Sequence, residues 1–84
     1  WGGDEFVVLL DAAEIATGRV IGERLRQSIV DGLGAAGFVD GSCSVGLAAA
    51  GAGDASFSEV LARADAALYS AKENGKNRAV VAGD

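Results

Sequence analysis

Trp1-Gly2-Gly3-Asp4-Glu5-Phe6-Val7-Val8-Leu9-Leu10 is the stretch on which the fold turns. Phe6–Leu10 is a continuous apolar run rich in β-formers, and it follows directly on a Gly-Gly pair and two carboxylates. A short run bounded by turn signals reads as a strand buried on both faces. Gly2-Gly3-Asp4-Glu5 reads as a tight turn, so a strand ending near Trp1 is expected to pair with Phe6–Leu10 as the first arm of a hairpin. Of that arm only the final residue stands in this sequence.

Beyond the strand the hydrophobic period changes. Asp11 is expected to cap a helix from about Ala12 to Leu33, with Ala13, Ala16, Val20, Ile21, Leu25 and Ile29 on one apolar face. Glu14, Arg19, Glu23, Arg24, Arg26 and Gln27 form its wet side. Gly18 and Gly22 weaken its propensity, and Gly34 and Gly37 end it. A turn at Asp40-Gly41 leads into a second strand near Ser42–Ala49, whose small side chains imply a close neighbour. Gly51–Asp54 reads as a loop. Ser56 with Glu59 then has the Ser-x-x-Glu spacing of a capping box. Phe57, Val60, Leu61, Ala64, Leu68 and Ala71 follow at helical spacing up to Gly75, and Ala79–Ala82 reads as a last strand. The order strand-helix-strand-helix-strand is an α/β pattern in one small domain, with no internal repeat.

Half of the 84 residues are apolar and 23% are charged, which fits a globular chain. The net charge is −5, so a phosphate backbone is repelled at long range and general nucleic-acid binding is not expected. Cys43 is the only cysteine and histidine is absent. An internal disulfide, a Cys/His zinc site and a histidine-dependent triad are therefore excluded within this sequence. No apolar run reaches the roughly 18 residues of a membrane span, and a cytoplasmic segment is expected. The absence of methionine even at position 1 suggests an excised piece of a longer protein.

Three groups of residues carry chemistry. Gly2 and Gly3 can bring backbone N–H groups close to a phosphate, and Asp4 and Glu5 offer the hard oxygen ligands that Mg²⁺ prefers. Successive strand residues point to opposite faces, so a regular strand would keep Asp4 and Glu5 from sharing one metal. The plain alternative is a hairpin turn with solvated acids. Lys72, Lys76 and Arg78 gather around Gly75 and Asn77. They suit a triphosphate, or else simply cap the carbonyls of a helix end. Asp65, flanked by alanines, reads as structural. Cys43 is expected in the core and Tyr69 half-buried, while Trp1 reads as a strand-end aromatic.

Together these pieces resemble the GGDEF family of diguanylate cyclases. Trp1-Gly2-Gly3-Asp4-Glu5-Phe6 is similar to the family's signature, and Ser44-Val45-Gly46-Leu47-Ala48 to its Ser-Ile-Gly-Ile-Ala strand. Ala64-Asp65-Ala66-Ala67-Leu68-Tyr69-Ser70-Ala71-Lys72-Glu73-Asn74-Gly75-Lys76-Asn77-Arg78 resembles its closing helix and strand. The resemblance implies that two GTP molecules, one on each subunit of a head-to-head homodimer, condense to cyclic di-GMP and two pyrophosphates with Mg²⁺ or Mn²⁺. It assigns metal binding and hydroxyl activation to Asp4 and an essential catalytic role to Glu5. It lays Gly2 and Gly3 against the nucleotide and holds the terminal phosphates with Lys72 and Lys76. Lys76 stands where arginine is commoner, which keeps the charge and loses the planar fork. Arg24 matches a position that binds inhibitory product in some members.

By the same comparison residues 1–84 are the C-terminal half of one palm-like GGDEF domain of the nucleotidyl cyclase type. The absent half carries the first strand with its metal-binding aspartate, the guanine-reading helices and the inhibitory Arg-x-x-Asp site. Family topology puts that first strand between Phe6–Leu10 and Ser42–Ala49. The fragment alone is thus expected to be inactive and at best marginally folded. Its parent carries sensory or phosphodiesterase domains in some architectures and is anchored to a membrane, if at all, through other domains. The alternative is an inactive GGDEF module that binds GTP and regulates a neighbouring domain.

Overall fold

The computed structural model describes residues 4–11, 16–38, 41–51 and 56–83. The elements are β1 (Asp4–Leu10), α1 (Gly18–Ala35), β2 (Cys43–Ala49), α2 (Phe57–Glu73) and β3 (Ala79–Val81). The fold is an α+β arrangement of three parallel strands and two helices, consistent with part of a GGDEF nucleotidyl cyclase fold. The sheet order is β1-β2-β3, with β2 in the centre.

β2 is buried from Cys43 to Ala48 because a helix covers each of its faces. Cys43, Val45 and Leu47 project to one side, where Ile21, Leu25, Ile29 and Val30 of α1 pack. Gly46 and Ala48 project to the other, against Val60, Ala64 and Leu68 of α2. This alternation is the two-residue period of a strand. At Gly46 the fit is closest: an added Cβ would lie 2.3 Å from the Ala64 carbonyl oxygen and from the Leu68 nitrogen. Gly18 and Gly22 do more than weaken α1. They are buried one turn apart, and a Cβ on Gly22 would come within 2.6 Å of Leu47 Cδ1.

Both helices end in a Schellman motif. At α1, Phe38 N–H donates to Leu33 O (2.8 Å) and Gly37 N–H to Gly34 O (3.0 Å), with Gly37 at φ 101°. At α2, Lys76 N–H donates to Ala71 O (2.9 Å) and Gly75 N–H to Lys72 O (3.4 Å), with Gly75 at φ 116°.

Several expectations change. β1 is an edge strand, not one buried on both faces: Phe6 is 40% exposed and Val7 37%. It pairs with β2 directly, Asp4 opposite Cys43 through Leu10 opposite Ala49, where family topology implies an intervening strand. Among the described residues no strand stands between them, so each satisfies the other's backbone donors and acceptors. α1 starts at Gly18, with Thr17 as its N-cap, so exposed Asp11 does not cap it. Residues 12–15, where the helix was expected to begin, lie outside the described residues, as do Trp1 and Asp40. Ser56 makes no side-chain capping hydrogen bond, so its half of the capping box is not formed. Tyr69 is 64% exposed, because the inward stripe of α2 is Val60, Ala64, Ala67 and Ala71.

Candidate active site

The candidate residues gather at the end of the sheet where the strands begin. Parallel β1 and β2 start there with Asp4 and Cys43, and α2 delivers its C-terminal turn to the same end. Gly2 and Gly3 lie outside the described residues. Asp4 opens β1 and is fixed by its N–H, which donates to Ser42 O at 2.9 Å. Its register partner is Cys43, on the α1 side, whereas Glu5 pairs with Ser44 and belongs to the α2 side. The two carboxylates therefore face opposite ways, as a regular strand requires.

Glu5 meets Lys72. The Lys72 ammonium lies 3.2 Å from both Glu5 carboxylate oxygens, with both side chains part-exposed. The first strand and the last helix are thus tied by two residues that the sequence had assigned to separate roles. Lys76 follows one turn later in a loop of unusual backbone. Gly75, Lys76 and Asn77 have φ of 116°, 62° and 47° in succession. A left-handed residue other than glycine or asparagine costs roughly 1–2 kcal/mol, so Lys76 above all must be held by its neighbours.

The holding is done by residues to which the sequence reading gave no such role. Asn77 N–H donates to Ser44 Oγ (3.2 Å), while Asn77 Oδ1 accepts from Cys43 N–H (3.4 Å) and from Arg26 Nη1 (3.0 Å). Arg78 Nε donates to Lys76 O at 3.1 Å. Ser44 is buried, and the bond from Asn77 N–H gives its hydroxyl a partner. Arg26 does not lie on the wet side of α1 as expected: its side chain is only 13% exposed. The available signal was Asn77 itself, since asparagine after a helix-ending glycine tolerates left-handed backbone. Arg24, by contrast, is exposed on α1.

Arg26 is gripped by Glu23, whose two carboxylate oxygens accept from Nε at 3.0 and 3.1 Å while Nη2 also bonds the same group. That hydrogen bond holds the Glu23 carboxyl below the usual range and raises the guanidinium in turn. Burial pushes the Cys43 thiol up, with the negative charge of Asp4 adding to it and Arg26 opposing.

Among the described residues no three acidic, cysteine or histidine side chains converge on one point. Asp4 and Glu5 are hard oxygen donors of the kind Mg²⁺ takes, but each faces its own side of the sheet. Among the described residues the fit to a metal is therefore that of a contributor of one carboxylate rather than of a cage. An apolar cleft of about 420 Å³ opens at the opposite end of the sheet, between Leu9, Ala50 and Phe57, and holds none of the candidates. No helix among the described residues is long and apolar enough to cross a membrane.

Comparison with known proteins adds an independent line. Residues 1–78 match the family model described as diguanylate cyclase, GGDEF domain. The chain is similar to diguanylate cyclase A of Treponema denticola, at 29% identity over 96% of this chain and 22% of that protein. It is also similar to diguanylate cyclase DgcP of Pseudomonas aeruginosa, at 41% identity over 98% of this chain and 12% of that protein. The chain thus spans less than a quarter of the length of either relative. No solved structure matches it.

Proposed function

This chain belongs to the GGDEF family of diguanylate cyclases, and we propose that in its whole domain it supplies the phosphate-holding and part of the metal-holding side of a site that makes cyclic di-GMP from two GTP. The observation that carries the reading is the meeting of Glu5 and Lys72, 67 positions apart, at the end of the sheet where Asp4 and the Lys76 loop also lie. An acidic chain that binds a triphosphate needs such a local gathering of cations.

In the reaction each GTP 3′-oxygen attacks the α-phosphorus of the other nucleotide. The new P–O bond replaces the bond to pyrophosphate, which leaves, and the hydroxyl proton is lost. Two such displacements across a head-to-head homodimer close the ring. GGDEF cyclases are generally dependent on a divalent metal. Mg²⁺ or Mn²⁺ would lower the charge on the phosphates and leaving group. Asp4 is the residue of this chain that would hold it and help activate the hydroxyl. Glu5, freed from Lys72 when phosphate takes the ammonium, is the second acidic group. Lys72 and Lys76 neutralise the terminal phosphates as point charges, and Gly2 and Gly3 leave room for the nucleotide. Residues 1–84 are, on this reading, the C-terminal half of the domain.

The test is to incubate the whole protein with GTP and Mg²⁺ and assay cyclic di-GMP. Product should form and fall by at least about 100-fold in Asp4→Ala, the range expected when a group acting on the transferring phosphoryl is lost. Tight GTP binding without product would favour a GTP-binding regulatory module instead. Absence of both would reject the reading.

A further inference from the structure

We propose that Arg26 is a positioning residue for phosphate binding, acting through Asn77 to hold Lys76 in place. The inference rests on the reading of Lys76 as a phosphate-holding cation.

Lys76 and Asn77 sit in backbone that side chains rarely adopt, directly after left-handed Gly75. Four contacts come from the loop itself or from elements already adjacent to it: Lys76 N–H to Ala71 O, Arg78 Nε to Lys76 O, Asn77 N–H to Ser44 Oγ, and Cys43 N–H to Asn77 Oδ1. The fifth reaches in from α1, 51 residues away, as Arg26 Nη1 donates to the same Oδ1 at 3.0 Å. It is the charge-assisted one of the two bonds that Oδ1 accepts.

Arg26 is itself held rather than free. Nε and Nη2 are taken by Glu23, and Nη2 also donates to Gln27 Oε1 at 3.2 Å. Gln27 Nε2 in turn donates to Asp31 Oδ1 at 2.8 Å. An arginine side chain only 13% exposed, with its fork occupied on both sides, is built to fix Asn77 and not to meet a phosphate. Glu23, Gln27 and Asp31 line up along α1 at helical spacing, so a rigid helix braces the loop. A cation carried on a braced loop loses less freedom when phosphate binds.

The experiment is a double-mutant cycle on GTP affinity, with Mg²⁺ present, in the whole protein. Lys76→Ala should raise Kd about tenfold, the loss of one charge-assisted contact. Arg26→Ala should raise it about three- to fivefold, and Arg26→Lys should recover part of that loss. The deciding result is the double variant, Arg26→Ala with Lys76→Ala. If Arg26 acts only through Lys76, the pair binds no more weakly than Lys76→Ala alone. Additive losses would mean a direct phosphate contact or general damage, and would overturn the proposal. An unaffected Arg26→Ala beside a weakened Lys76→Ala would overturn it while leaving the role of Lys76 intact. An unaffected Lys76→Ala would remove the underlying reading and this one with it. Should Arg26→Ala fail to fold, Arg26→Lys takes its place in the same cycle with the same criteria.

Discussion

Gly46 and Gly22 illustrate two different demands on a glycine. A Cβ at Gly46 meets backbone of α2, which cannot turn aside, so Gly46→Ala must push the helix off the sheet. We expect it to destabilise by about 3 kcal/mol, read as a lower urea midpoint. At Gly22 the neighbours are side-chain atoms, the end of buried Leu47 at 2.6 Å and the Ala79 Cβ at 3.0 Å, so a shift within the core is needed, and alanine gains helix propensity of about 1 kcal/mol in partial return. The net loss for Gly22→Ala should therefore be about 1 kcal/mol or less in the same experiment. Cys43 gives a prediction in pH. It is fully buried and its thiol is raised above the ordinary range, first by desolvation and then by Asp4. A folded-state pKa above the unfolded one leaves stability unchanged below the unfolded thiol pKa. Stability is then lost as pH rises from there through the folded value. Urea titrations between pH 7 and 10 should show this decline, and Cys43→Ala should flatten it.

At the scale of elements, Ser56 shows where pattern and geometry part. Ser-x-x-Glu announces the start of α2 correctly, yet Ser56 makes no side-chain cap. Ser56→Ala should thus cost less than about 0.5 kcal/mol, against the ~1 kcal/mol of a working N-cap, by urea melting. Most of the element list was legible because period and punctuation are local. β2 starts at Cys43 where Ser42 was expected, β3 starts at Ala79 as read, and glycines mark both helix ends. What was not legible depends on partners. The apolar run Phe6–Leu10 looks the same on an edge as in a centre, so its exposure could not be read from it. Tyr69 is exposed because the stripe of α2 against the sheet is Val60, Ala64, Ala67 and Ala71, which leaves position 69 outside. In the site, Lys72 and Glu5 were each singled out, but their meeting is a product of the fold. Arg26 was read as solvated because a helical wheel does not show that Asn77 lies within its reach.

Across the whole molecule, the two crossovers differ in hand. β1-α1-β2 and β2-α2-β3 step in the same direction along the sheet, but α1 and α2 lie on opposite faces. One of them is therefore left-handed, against the strong preference for right-handed βαβ units. The radius of gyration is 13.1 Å, above the roughly 11.8 Å of a compact chain of this length, and the longest extent is 43 Å. So thin a body buries little, and as an isolated polypeptide residues 1–84 should be stable by less than about 5 kcal/mol in urea. Incubated alone with GTP and Mg²⁺ it should yield no cyclic di-GMP; detectable product would refute the half-domain assignment. The pairing of β1 with β2 also makes the site a matter of parity. Asp4 and Glu5 are told apart by which side of one strand they occupy. A slip of β1 by one residue would exchange sides and put the wrong carboxylate, or none, before Lys72. One inserted residue between Glu5 and Phe6 would thus disarm the site while every chemical group was still present in the sequence.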